Sequence, residues 1–547
     1  MKLIRIISLC FIFSCYTAGL FAQGKIKNVI VMIPDGTSTA LLSISRLYAQ
    51  YIDSSQTQLA IDPYICGLVM SHSSDAPIGD SAPTTSCYVT GQPSQTGFVA
   101  TYPVKTDHDL YPIDSSLAYQ PMATVMEAAR ILKHKATGLV FTCEFPHATP
   151  ADHCAHTYNR NAYSNIAAQM THNKVDVVIG GGSKYLNESL QNDLRSAGYR
   201  VYINDKEAML NHHEGKMWAL YNSSSMDYDI DRDPEKEPSI AEMTRKAIEL
   251  LSKKPEGFYL LVEGSKVDFA AHNNDAKAAI MDFLAFNEAV KEAIGFAEKD
   301  GHTVVLVLPD HGCGGLNMSN RFYNSGYDKL SLQQLMDPIR DYSISTDKMA
   351  SLIKKEDREN IPQLVKKYYN YDLSEEELNI LCWTKDPQSA PMDYDRNKGL
   401  SLDKALSNML YRRTIFGSTS YGHTGEDVFL ACYHPKGDRP RGVISNIAVN
   451  DYLCRQLGLS NQLPRLTDDI FAKHSELFQD AQSISIERLD KDHYRLIVEY
   501  PKHQLTAESN ANCVIIDQQS IDISSVIVYM EKNNSFYLPR KLKALLQ

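Results

Sequence analysis

Six short apolar runs set the strongest limit on what this chain can fold into. "KNVIVMI" (27–33), "ATGLVFT" (136–142), "VDVVIGGG" (175–182), "GFYLLVE" (257–263), "HTVVLVL" (302–308) and "DVFLACY" (427–433) are rich in β-branched residues and lack a polar alternation. Such a run reads as a strand covered on both faces, because a half-exposed strand would alternate. Between them, "MATVMEAARILKH" and residues 275–299 carry apolar side chains at helical spacing. In the second, Ile280, Phe283, Leu284, Val290 and Ile294 form one stripe. Strands alternating with helices predict an α/β fold, a three-layer sandwich with a large, mostly parallel central sheet flanked by helices. Two regions break the rhythm. Residues 314–420 insert between two strands, are rich in Tyr, Asp, Asn and Lys, and are expected over one rim of the sheet. From 464 onward "YRLIVEY", "NCVIID" and "SSVIVYM" restart as a small α+β appendage of unknown role.

With 547 residues, 43% hydrophobic and 22% charged, the chain suits one large folded unit with additions, and disorder is not expected. The net charge of −11 argues against a nucleic-acid surface built on phosphate contacts. The opening "MKLIRIISLCFIFSCYTAGLFAQGK" has Lys2 and Arg5, an apolar run and then small residues, the layout of a signal peptide cut after Ala22. That run is shorter than the ~20 apolar residues of a spanning helix, and no later segment comes close. The expected division is a leader at 1–22, a main folded unit at 23–463 and the appendage at 464–547, the mature chain being periplasmic or secreted. The residues before Cys15 fit a lipid anchor poorly. Eleven cysteines, less Cys10 and Cys15, leave nine with no CxxC spacing, which predicts mostly buried free thiols. One or two disulfides stay open in an oxidising compartment.

In sheets of this kind ligands gather beyond the carboxyl ends of the strands. The residues there are Asp35, His147 and Thr149, Glu263, Asp268 and His272, and Asp310 and His311. Asp268 and His272 in "EGSKVDFAAH" are four apart and share a helix face. Alone, such a pair is more often a surface ion pair than a metal site. "PDHG" (309–312) and the His423 of "YGHTGED" are equally ordinary alone. Together they suit metals: Asp, His and His can hold one zinc with a position left open. Asp35, Asp310 and His311 could hold a second, and two zincs about 4 Å apart suit an in-line displacement. Oxygen donors from Glu263, Thr149 and Asp35 would suit magnesium.

With these residues in order, the sequence resembles the alkaline phosphatase family. "MIPDGTS", "GDSAPTTSCYVTG", "HATPADHCAHTYNR", "VEGSKVDFAAH", "LPDHG" and "YGHTG" follow that family's order at compatible spacings, over roughly 26–460. The resemblance implies hydrolysis of small phosphate monoesters by two zinc ions and one magnesium. It implies Ser81 of Asp80-Ser81-Ala82 as nucleophile, at a helix start that favours an anion, so that Thr84, Thr85 and Ser86 become scaffold. It further implies that Asp268, His272 and His423 hold the first zinc, and that Asp35, Asp310, His311 and Ser81 hold the second. Asp35, Thr149 and Glu263 would hold magnesium, while Arg160 grips phosphate and is oriented by Asp80. Members of the family are often homodimers.

Two positions depart from the best-known bacterial pattern. His147 stands where many bacterial members have an aspartate that helps order the magnesium, and Phe269 replaces a lysine or histidine that reaches the phosphate through water. A weaker or exchangeable third metal and weaker product binding are therefore expected; calcium or a third zinc could take that site. The rivals are a phosphodiesterase or nucleotide pyrophosphatase of the same superfamily and a non-catalytic metal- or phosphate-binding homologue. A sulfatase would need Cys-x-Pro-x-Arg at position 81, which is absent.

Overall fold

All six residues of Asn28–Ile33 (β1) are buried, as an unbroken apolar run demands. The structure, a computed structural model, describes residues 25–323, 325–391 and 400–546; the expected leader at 1–22 lies outside the described residues. The other strands of the central sheet are Ile65–Met70 (β2), Ala136–Glu144 (β3), Val177–Gly181 (β4), Arg200–Ile203 (β5), Met217–Tyr221 (β6), Phe258–Glu263 (β7), Thr303–Val307 (β8), Val428–Tyr433 (β9) and Gly442–Ser445 (β10). Their order across the sheet is β10-β2-β9-β8-β1-β7-β3-β4-β6-β5. Only β9 runs against its neighbours, pairing antiparallel with β2 and β8. The fold is α/β, and the sheet is mostly parallel as expected.

Side chains alternate across β1. Ile30 and Met32 enter one core, Val29, Val31 and Ile33 the other. The first core takes the inner faces of Thr39–Ile52 (α1), Ile240–Leu251 (α5) and Ala276–Asp300 (α7). The second takes those of Ser81–Thr90 (α2), Val125–Lys133 (α3), Tyr163–His172 (α4) and Asn446–Leu457 (α8). Helix–sheet–helix layering follows, each fully buried Val, Leu or Ile being worth roughly 1.5–3 kcal/mol against exposure. Local signals agree with the tertiary ones: α3 opens on a capping box between Thr124 and Glu127.

Residues 314–420 contain helices at Leu332–Arg340, Thr346–Ile353, Ile361–Tyr369, Glu375–Lys385 and Leu402–Tyr411, and Met336, Ile339 and Leu406 join the first core. Two small antiparallel ladders tie the ends of this insertion together: Asn317–Met318 with Phe416–Gly417, and Gly312–Cys313 with His423–Thr424. The helix Leu463–Ile470 sends Leu463, Leu466 and Ile470 into the second core. After it come a five-stranded antiparallel sheet over residues 483–522 and a three-stranded sheet of Ala472–Lys473, Val528–Met530 and Ser535–Leu538. These small sheets have a core of their own, with Leu496, Val498, Phe536 and Leu538 at its centre. The nine described cysteines are all free, and six are buried. Among the described residues no helix is long and apolar enough to cross a membrane.

Candidate active site

Strand order gathers the site. β8, β1, β7 and β3 are neighbours, so residues at or just past their carboxyl ends (Asp310 and His311, Asp35, Glu263, His147) come to one edge. Because β9 runs the other way, the segment before it reaches the same edge and delivers His423. β2 leads by a loop to Asp80 and Ser81 at the start of α2.

Ser81 Oγ lies 3.1 Å from His311 Nε2 and 3.4 Å from Asp35 Oδ2. His311 Nε2 is also 3.5 Å from Asp35 Oδ1 and 3.3 Å from Asp310 Oδ2. Asp35, Ser81, Asp310 and His311 thus converge, each almost wholly buried. Backbone N–H groups of Gly36 and His311 donate to Asp310 Oδ1 at 3.1 and 2.9 Å, which aims its other oxygen inward. Gly36 permits the close approach: its φ is +65°, and an added Cβ would stand 2.5 Å from Asp268 Oδ1.

Asp268 and His272 lie on one face of Lys266–His272 (α6), with Nε2 and Oδ2 3.3 Å apart. His423 Nε2 comes within 3.2 Å of His272 Nε2 and 4.0 Å of Asp268 Oδ1. The other nitrogens are taken by backbone, His272 Nδ1 on Tyr421 O at 2.6 Å and His423 Nδ1 on Gly79 O at 3.0 Å. A second ring nitrogen fixed in this way is the usual means of aiming a ligating histidine.

Three clusters have ligand atoms close enough to share a metal ion: Asp268, His272, Cys313 and His423; Asp35, Asp268 and His311; and Cys143, His147 and Glu263. Asp35 Oδ1, Asp268 Oδ1, Asp310 Oδ2, Glu263 Oε1 and Thr149 Oγ1 are buried without a hydrogen-bond partner among the described residues. Four carboxyl groups converging with oxygens turned inward form a donor set whose charge bound cations would neutralise. The ionisation behaviour agrees. Burial, then Asp310, Asp268 and Glu263, drives Asp35 well above the usual carboxyl range. Burial pushes Glu263 up to about 8. Asp268 is held below its ordinary value: burial opposes this, but His272, His311 and His423 outweigh it. Burial and then His311 bring His423 down to about 4, so it stays neutral and ready to ligate.

Asp80 precedes α2 in extended backbone but does not cap it with its side chain. Its carboxylate pairs instead with Arg160, which keeps it below its ordinary range despite burial. On its far side Arg160 Nη2 lies 3.1 Å from His147 Nε2. A guanidinium only donates, so His147 Nε2 accepts. Burial and then Arg160 push this histidine down to about 3. Its Nδ1 is buried without a hydrogen-bond partner among the described residues. Phe269 meets His147 edge-on at 5.6 Å and has Lys266 Nζ 4.9 Å above its ring. Thr149 lies on the short helix Ala148–Ala151.

Of the other hydroxyls in the opening of α2, Ser86 Oγ donates to Asp152 Oδ1 at 2.6 Å, and Thr84 and Thr85 are buried with no hydrogen-bond partner among the described residues. Two thiols escaped sequence reasoning. Cys143 is the penultimate residue of β3, its Sγ 3.5 Å from Glu263 Oε2, and Cys313 stands three residues after Asp310. Burial raises both thiols well above their ordinary range. Their positions at strand ends were the available signal.

The model of the family described as alkaline phosphatase matches residues 26–459. "Alkaline phosphatase 3" of Bacillus subtilis (strain 168) is 31% identical over 442 residues, 78% of this chain and 88% of the relative. The "Repressible alkaline phosphatase" of Saccharomyces cerevisiae is 26% identical, covering 86% of this chain and 88% of its own. Among solved structures, the cold-active alkaline phosphatase of Shewanella sp. is 27% identical with a TM-score of 0.66, covering 79% of this chain and 99% of that one. The Thermus thermophilus alkaline phosphatase has a TM-score of 0.70 at 24% identity, covering 80% of this chain and 92% of its own. Matched across the whole sheet and every segment that meets at this edge, the chain belongs to the alkaline phosphatase family and is an enzyme of that class, a hydrolase.

Proposed function

We propose that the chain hydrolyses phosphate monoesters to inorganic phosphate and an alcohol through a phosphoserine on Ser81. What carries this reading is the place of Ser81 Oγ, at the first residue of a helix and within reach of both Asp35 and His311. Asp268, His272 and His423 would hold one zinc, and Asp35, Ser81, Asp310 and His311 a second. Asp35, Thr149 and Glu263 would hold magnesium. Metals so placed neutralise phosphate charge and lower the pKa of a coordinated hydroxyl. Cys143 and His147 are softer donors than magnesium prefers, which supports a weak or exchangeable third ion. A TAB5 alkaline phosphatase variant with aspartate for a histidine carries Mg in its M3 site.

Arg160, fixed between Asp80 and His147, presents its guanidinium to two phosphate oxygens, a task its planar fork suits. Ser81 Oγ, its proton released to solvent, attacks phosphorus in line as the ester P–O bond breaks and the alcohol departs with a proton taken up from solvent. The N-terminal amides of α2 favour the charge on that side. Water then cleaves the Oγ–P bond, frees phosphate and restores Ser81. We also propose export after removal of 1–22, with 23–463 as the catalytic unit, 314–420 narrowing its rim, and 464–547 as an addition joined through Leu463–Ile470.

The test is turnover of p-nitrophenyl phosphate against bis-p-nitrophenyl phosphate, with and without chelator. Preference for the monoester, lost on chelation, is expected. Preference for the diester would replace this reading with the phosphodiesterase one, and inertness toward both would leave a binding role. Arg160→Ala should raise the inhibition constant for inorganic phosphate about thirty- to a hundredfold, the loss of a two-pronged charged contact. An unchanged constant, measured by competition, would remove Arg160 from phosphate binding.

A further inference from the structure

Arg160 stands on the connection between Ala148–Ala151 and α4, and that connection is held from two sides. On the inner side Arg160 N–H donates to Gly97 O at 2.8 Å, and Val99 and Thr157 exchange backbone bonds at 2.8 and 3.0 Å. On the outer side Gln169 of α4 grips His156 twice. Its Oε1 accepts from the His156 N–H at 2.8 Å and its Nε2 donates to His156 O at 3.1 Å. The His156 ring is fixed at both ends, 3.1 Å from Ala100 O and 3.1 Å from Glu127 Oε1.

The same Gln169 amide also donates to a residue of the C-terminal sheets, reaching Asn510 Oδ1 at 3.0 Å. Asn510 Nδ2 donates to Asn165 Oδ1 at 3.1 Å, and Asn510 O faces His172 Nδ1 at 2.7 Å. Asn510 is itself tied down by its N–H on Ile527 O at 2.7 Å. Its φ of +65° is a left-handed conformation that asparagine tolerates better than most residues. Gln169 is 2% exposed and Asn510 8%, so the hydrogen bond between them is buried. A second tie lies two residues from Arg160, where Tyr158 Oη donates to Glu531 Oε2 at 3.4 Å. Asn510 and Glu531 both lie beyond residues 26–459, the span that the family model matches.

We infer that the C-terminal sheets brace the connection carrying Arg160, with Asn510 and Glu531 as positioning residues for phosphate binding. The inference rests on Arg160 gripping phosphate. Without Asn510, a buried Gln169 N–H loses its acceptor, and a buried donor without an acceptor is unfavourable enough to turn the amide and loosen His156. Through His156 the shift reaches Arg160, four residues on.

The experiment is a double-mutant cycle in the full-length, metal-loaded enzyme, read as the inhibition constant of inorganic phosphate and KM for p-nitrophenyl phosphate. Asn510→Ala should raise both about three- to tenfold, a moderate coupling through one buried hydrogen bond. In the Arg160→Ala background the same change should alter them by less than about 1.5-fold. Tyr158→Phe, which removes only a hydroxyl from a partly exposed ring, should raise both about twofold, again only with Arg160 present. It serves if Asn510→Ala does not fold. Equal effects in both backgrounds, or a lowered Tm with unchanged constants, would overturn the brace and leave the Arg160 reading intact. If Arg160→Ala itself leaves the phosphate constant unchanged, that reading fails and the brace falls with it.

Discussion

Ser81→Ala is expected to lower kcat/KM for p-nitrophenyl phosphate by at least about ten-thousand-fold, the scale seen when a covalent nucleophile is removed. The fold should survive. Ser81 is one residue of a helix whose ten residues are all buried, and alanine removes a single oxygen without disturbing Tyr88 or Val89, which anchor that helix in the core. The contrast lies one turn further on. Thr84 and Thr85 are buried with hydroxyls that have no hydrogen-bond partner among the described residues, so Thr84→Val and Thr85→Val keep volume and lose no hydrogen bond. Each should stay within about threefold of the parent. Steady-state kinetics on the three variants decide the matter. Loss of activity in a threonine variant, with Ser81→Ala active, would move the nucleophile.

Stripping the metals is the second large effect. Chelation should abolish turnover and lower Tm, and the Tm deficit should grow as the solution becomes alkaline. Glu263, ordinarily near 4.5, is pushed up to about 8 by burial, and Asp35 is driven upward by burial and by Asp310. A carboxyl raised in the folded state contributes its stability while protonated. For the stripped protein that contribution is complete below about pH 4.5 and is lost as pH rises through about 8. His147 and His423 act on the other flank. Their folded values of about 3 and about 4, against an ordinary 6.5, mean that stability is lost as pH falls from 6.5 through 4 and 3. The proposed cations would compensate the two carboxylates, so the loaded protein should lack the alkaline loss. Scanning calorimetry of loaded and stripped protein at pH 5, 6.5 and 8 measures this. A Tm gap that narrows toward pH 8 would contradict the cation-compensated cluster.

Much of this was legible in the sequence because fully buried parallel strands have few alternatives. β1, β3, β4, β7, β8 and β9 fall within one or two residues of their apolar runs, and polar residues at or past the ends of β1, β3, β7 and β8 reach the common edge. β2 and β10 did not announce themselves: they pair through Gly67 and Gly442, and most of their residues are partly exposed, so neither a solid apolar run nor a clean alternation exists. β5 and β6 are short, at four and five residues. Strand order was also hidden. Nothing local says that β9 reverses, yet that reversal is why His423 precedes its strand while the other site residues follow theirs. Asp80 illustrates a different limit. Its position before a helix suggests a cap; the family resemblance, not the local sequence, points to Arg160, and the structure pairs the two. The thiols of Cys143 and Cys313 read as core residues because burial is what a free cysteine ordinarily signals. The link from Asn510 to His156 crosses more than three hundred residues of chain, beyond any periodicity.

The central claim is one covalent bond. Enzyme mixed with p-nitrophenyl phosphate at mildly acidic pH, where less of the attacking water is deprotonated and hydrolysis of a phosphoserine should slow, then quenched in acid and digested, can be mapped by tandem mass spectrometry. One phosphoryl group is expected on Ser81 in the peptide spanning "GDSAPTTSCYVTG", and none in the Ser81→Ala protein. A phosphoryl group on Thr84, Thr85 or Ser86, or full turnover with no phosphopeptide under any quench, would contradict it.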